Sequence, residues 1–210
     1  MAVAALWTLS PPAGATIPPG RIVSVIPSDD EVSQFVGLPM RHVDDPLPVA
    51  PRLPDHLNHR DECRGLFYTN TVDVWGQDYT AFRSQNWTYP PDPNGTFVSQ
   101  SVGLFASTGA ARDRFDSIYN ANLFNGCNHA DLHGPPMDEG ISFEVYDFKT
   151  NNDVMIWTLA AKQYGQYTGY NYVYVAFHLN NVISISNIGQ QGNPSQSVKR
   201  LTDHILNRVG

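Results

Sequence analysis

Tyr170-Asn-Tyr-Val-Tyr-Val-Ala-Phe-His-Leu179-Asn180-Asn181-Val182-Ile-Ser-Ile-Ser-Asn-Ile188 is the stretch from which the fold is read. Two runs rich in β-branched and aromatic residues flank an Asn-Asn pair, the pattern of a β-hairpin. Strand side chains alternate between faces. With the turn centred on Leu179-Asn180-Asn181, Val173, Val175, Phe177, Ile183 and Ile185 share one face, and Tyr170, Tyr172, Tyr174, Ser184 and Ser186 share the other. The first face reads as core. The second is an aromatic and hydroxyl surface of the kind that binds a ligand or partner, because a rigid ring with a polar tip gives contact area at low entropic cost. An ordinary solvent-facing strand has the same composition, since tyrosine favours strands in any case.

Outward from this hairpin, Ile141 to Phe148 and Val154 to Ala161 alternate around Asn151-Asn152-Asp153. Asp78 to Tyr89 and Phe97 to Ala106 flank the turn-rich Pro90-Pro-Asp-Pro-Asn-Gly95, so both pairs predict further hairpins. Helices carry their own punctuation. Ser28 with Glu31 is a capping box closed by Gly37, and Val32, Phe35 and Val36 face inward. Ser107 or Thr108 opens a run with Ala111, Phe115, Ile118, Tyr119 and Leu123 at helical spacing, ended by Asn125-Gly126. Asn193-Pro194 opens the last helix, with Val198, Leu201, Thr202 and Ile205 as its buried stripe. Residues 60–75 are compatible with helical segments. Prolines 39, 46, 48, 51 and 54 predict an extended surface wrap over 39–56. This order predicts an α+β domain with a mainly antiparallel sheet of about six strands and helices packed on one face. Residues 1–20 read as an N-terminal tail and linker, and 21–210 as the domain.

Composition narrows the function. A hydrophobic share of 41% supports a globular core, while a net charge of -7 with no basic cluster argues against nucleic acid. Met1 to Leu9 is apolar but far short of the roughly 20 residues that span a bilayer. With Ala13-Gly14-Ala15 after it, this start reads as the remnant of an export signal or anchor.

Catalytic signatures are missing: there is no phosphate-binding glycine loop, G-x-S-x-G, H-E-x-x-H or C-x-x-C. Asp44-Asp45, Asp61-Glu62 and Asp138-Glu139 read as solvated loop charge. The two cysteines, Cys63 and Cys127, lie near His59, His129 and His133. They permit a disulfide, a zinc site with the histidines, or a thiol nucleophile with a histidine base. A zinc-dependent hydrolase on His59, His129 and His133 is the enzyme alternative that this pattern leaves open.

Ile26-Pro-Ser-Asp-Asp-Glu-Val-Ser-Gln-Phe-Val-Gly37, Glu62-Cys63-Arg-Gly65, Asn125-Gly126-Cys127, Trp157 in its strand, and the closing hairpin and helix occur in an order that resembles the extracellular sensor domain of PknH-type mycobacterial Ser/Thr kinases. That domain is also found in stand-alone exported lipoproteins, and the resemblance spans residues 21–208. It implies an exported sensor or ligand-binding domain with a central cleft, no cofactor and no catalytic activity of its own. The family's second disulfide joins a cysteine just after the strand tryptophan to one at the end of the last strand. The matching positions are Thr158 and Asn187, so both partners are absent together and Cys63 with Cys127 is the retained bridge.

The resulting expectation is a non-enzymatic extracytoplasmic module, held by a Cys63–Cys127 disulfide. It binds a small-molecule or envelope ligand through Tyr170, Tyr172, Tyr174, Trp157, Ser184 and Ser186. An accessory subunit that contacts an envelope membrane protein through the 39–56 wrap is the non-catalytic alternative.

Overall fold

The computed structural model describes residues 16–52, 63–132, 140–151 and 153–210. The expected export remnant, and His59 and His133, lie outside them. The described chain opens with a 3-10 turn, Pro19–Ser24, and helix α1, Asp29–Val36. Strand β1 is Arg41–His42, and short helices α2, Arg64–Phe67, and α3, Val72–Trp75, follow. Next come β2, Ala81–Tyr89, β3, Asp92–Leu104, α4, Thr108–Ile118, and α5, Ala121–Cys127. The chain ends with β4, Asp131–Leu132, β5, Ile141–Asn151, β6, Val154–Gln163, β7, Gln166–Leu179, β8, Val182–Gln191, and α6, Ser195–Val209.

The strands form one sheet in the order β1-β2-β3-β8-β7-β6-β5-β4, every pairing antiparallel. The expected α+β class holds. The six long strands are the six expected ones, and β1 and β4 extend the sheet to eight. Both added strands are two residues long and lie on the sheet's outer edges. Too short for alternation to mark them, they come from the segment read as wrap and from one to which the sequence assigns no element. The wrap is therefore partly strand: Arg41 and His42 pair with β2, and Leu47 bridges Ser84.

The helices lie on both faces rather than one. On the first face, α2, α3 and α4 cover Trp157, Leu159, Tyr174, Ala176, Ile183 and Ile185. On the second, α1, α6 and the 3-10 turn cover Val98, Val102, Val173, Val175, Phe177 and Ile188. The physical reason is that both sets of alternating positions in β7 and β8 are bulky and largely apolar, so neither face can be left to water. Val198, Leu201, Thr202 and Ile205 are all buried as the stripe of α6. Local signals are made as expected: Ser28 and Glu31 form the reciprocal capping box of α1, and Gly37 closes that helix at φ 82°. The long central helix is two pieces, because Asn120 accepts from the Leu123 amide and starts α5 anew.

Cys63 and Cys127 are joined in a disulfide, and both are fully buried in the first core. The bridge fixes the chain just before α2 to the last residue of α5. Both thiols are consumed, so neither the zinc-thiolate nor the nucleophile reading of the cysteines stands. Closing a loop of sequence separation 64 should contribute about 4 kcal/mol through restriction of the unfolded chain. The Cys63→Ser/Cys127→Ser protein is accordingly expected to unfold in urea about 2–4 kcal/mol more easily than the oxidised wild type.

Candidate functional site

The hairpin register places the side chains of the candidate site. Leu179 pairs with Val182, so the loop is the two residues Asn180-Asn181, and Asn180 takes a left-handed φ of 56° that asparagine tolerates. A two-residue loop pairs odd positions with even ones. Tyr174 therefore stands opposite Asn187, Ala176 opposite Ile185, and Phe177 opposite Ser184. The three tyrosines do share a face, but Ile183 and Ile185 share it with them. Ser184 and Ser186 lie on the other face, a correction that follows from a one-residue difference in register. There Gln100, wholly buried, donates to the Ser184 Oγ at 2.8 Å and accepts from the Ser186 Oγ at 2.6 Å. These serines satisfy a buried amide and do not reach the tyrosine surface. Register also separates Thr158 from Asn187. They stand on opposite faces of strands that flank β7, so a bridge could not join these two positions.

Trp157 and Tyr174 are core residues. Their rings are stacked at 4.9 Å with an interplanar angle of 7°, and both are buried. Burial pushes the Tyr174 hydroxyl well above its ordinary range. The Trp157 Nε1 donates to the Leu66 carbonyl at 2.9 Å, while the Trp75 Nε1 donates to the Thr69 carbonyl at 2.7 Å. Two tryptophans thus anchor the segment that leads out of α2 to the sheet.

Beyond these anchors the first face is left partly open, and a cleft of about 630 Å³ lies there. Phe67, Tyr68, Thr69 and Asn70 line it together with Phe97, Phe143, Tyr170, Tyr172, Asn187 and Gln191. Phe143 connects the two sets of rings, 5.0 Å from Phe67 and 5.7 Å from Tyr172. Tyr170 and Tyr172 are half-buried, 5.0 Å apart. Gly189, opposite Tyr172, makes room for them: a Cβ there would come within 2.4 Å of the Tyr172 ring. Of the expected binding residues, Tyr170, Tyr172 and Tyr174 line the cleft, and Trp157 supports it from behind. The sequence reading missed the Phe67–Asn70 wall, Phe97 and Gln191.

At one rim a charged network fixes Lys162. Its amine lies 2.6 Å from Glu144 and 3.0 Å from Asp131. The Tyr167 hydroxyl and the His129 Nδ1 also bond Glu144, the latter at 2.8 Å. Hydrogen bonds from Lys162, then Tyr167, then His129 hold the Glu144 carboxyl down to about 2. The same carboxylate holds the Lys162 amine above the usual lysine range. His129 is thus engaged with Glu144, and among the described residues no group of three or more His, Cys, Asp or Glu could hold a metal ion.

An antiparallel sheet clad by helices on both faces, clasped by one disulfide and open over an aromatic and amide cleft, defines an α+β module. The PknH-like extracellular domain model matches residues 17–208, and the chain belongs to that family. Its fold is similar to the crystal structure of the extracellular domain of PknH from Mycobacterium tuberculosis. The TM-score is 0.77 at 17% identity, covering 93% of this chain and 97% of that one. An uncharacterised protein from Mycobacterium smegmatis aligns with a TM-score of 0.38 at 10% identity, covering 87% of this chain and 96% of that one. No curated protein sequence matches.

Two outcomes follow. Tyr174→Ala removes a buried, stacked ring and should cost about 3–5 kcal/mol in urea unfolding, whereas Tyr170→Ala, at the cleft surface, should cost well under half as much. Glu144 titrates below its ordinary value of 4.5, so its stabilisation is present above about pH 4.5 and is lost as the pH falls toward about 2. Glu144→Gln should therefore lower stability at pH 7 and flatten the acid limb of a stability–pH curve between those values.

Proposed function

We propose that the chain is a non-enzymatic, extracytoplasmic ligand-binding module, and that its ligand enters the cleft between the Phe67–Asn70 wall and Tyr170 and Tyr172. The observation that carries this reading is the cleft itself. Its volume of about 630 Å³ falls within the range of small-molecule sites, and rings alternate with amides along its lining. Membership of a family described as extracellular supports the location, and the buried disulfide accords with an oxidising compartment.

The arrangement is suited to reception rather than chemistry. Tyr170 and Tyr172 are held with their hydroxyls protonated, because burial pushes both above their ordinary value. Lys162, the charged side chain at the rim, is tied down by two carboxylates. What the site offers is shaped surface backed by the Trp157–Tyr174 stack, whose rigidity reduces the ordering cost of binding. Because Cys63 stands one helical turn before Phe67, the disulfide also ties down the approach to the cleft wall.

A thermal-shift screen of the oxidised chain against a small-molecule library tests this directly. Compounds that raise the melting temperature should lose most of that effect against Tyr170→Ala and Tyr172→Ala. Hits whose stabilisation survives both substitutions would place binding elsewhere and defeat the proposal.

A further inference from the structure

We infer that the cleft is built for a neutral, hydroxyl-rich ligand, a saccharide. The inference rests on the cleft being the binding site. Its starting point is Asn187, which is only 4% exposed and lines the cleft floor. Its side chain lies beside the Tyr174 hydroxyl, while its Oδ1 has no hydrogen-bond partner among the described residues. Buried acceptors are rarely left unpaired, because desolvation without a partner is costly. This unpaired acceptor, itself covered, makes the cleft floor polar beneath its rings.

The rest of the lining narrows the ligand's chemistry. Asn70, Asn86, Gln163 and Gln191 join Asn187 in presenting planar amides, each able to donate and accept. Vicinal hydroxyls on a sugar ring match that dual chemistry. Lys162 is the sole charged side chain among the described lining residues, and its amine is already neutralised by Glu144 and Asp131. An anionic or cationic ligand would be desolvated with no counter-charge. An acyl chain would strand the amides in an apolar environment. A peptide added as a strand needs a sheet edge, whereas this cleft opens over the face of the sheet. Pyranose rings have apolar C–H faces, which can pack on Phe67, Phe97, Phe143, Tyr170 and Tyr172, whose rings carry a negative face.

The test is an array of neutral oligosaccharides probed with the labelled, oxidised chain, followed by calorimetry on the strongest hit. Parallel titrations use cis-parinaric acid as an acyl probe and a hexapeptide library. Binding of at least one oligosaccharide is expected, weakened at least about tenfold by Asn187→Leu and by Tyr170→Ala. Gln191→Ala, at an exposed rim position, carries the same expectation if Asn187→Leu fails to fold. Oligosaccharide binding indifferent to these substitutions would overturn the inference. Binding of the acyl probe or a peptide, lost in Tyr170→Ala, with no oligosaccharide bound, would overturn the saccharide class and leave the cleft as the site. Absence of all binding would overturn both.

Discussion

The turn at Asn180-Asn181 is the constraint on which the rest of the molecule hangs. Its two-residue loop sets the β7–β8 register and thereby decides which side chains meet each core. Its side chains also gather distant parts of the chain. The Asn181 Oδ1 accepts from the Ile17 amide at 2.8 Å, and its Nδ2 donates to the carbonyls of Ile17 and Phe105, each at 3.0 Å. The Asn180 Nδ2 donates to the Val209 carbonyl at 3.2 Å. One hairpin tip thus holds the start of the described chain, the exit from β3 and the end of α6. Longer by one residue, the loop would turn Asn187 away from the cleft and put the serines in its place.

The cleft is a consequence of how the first face is covered. Helix α4 and the α2–α3 segment seal the Trp157–Tyr174 stack, but the sheet runs on past them, and Tyr170, Tyr172 and Phe143 extend beyond that cover. The wall at Phe67–Asn70 stays in place because two indole hydrogen bonds and the disulfide fix both its sides. Stability and the cleft therefore share residues: the same buried stack that anchors α2 to β6 makes the back of the cleft. Glycine at 189 completes it, since any larger residue would contest the space of the Tyr172 ring.

Much of the architecture was legible because it is written locally. Capping at Ser28, the stop at Gly37, the stripe of α6 and the six long strands follow from patterns contained within each element. The tyrosines were legible as a surface, and two of them, Tyr170 and Tyr172, present partly exposed rings in the cleft. Asn187 was legible only as the place of an absent cysteine. Nothing in its neighbours distinguishes an amide under a cleft from one on a solvated strand. Phe67 to Asn70 come to the site from about a hundred residues upstream of the tyrosines, through packing that no local pattern encodes.

By itself, then, the sequence determined the six long strands, the main helices and their order, the antiparallel class and the resemblance that pointed to the Cys63–Cys127 pair. Only the tertiary structure decided that β3 joins β8 to unite two hairpins in one sheet, that helices cover both faces, and that the tyrosines share a face with Asn187 rather than the serines. The physical reason is one of range. Periodicity and capping depend on residues a few positions apart, so they survive in the bare sequence. Register and facing depend on which partner closes first and best across the sheet, where a single residue's shift reverses every side chain.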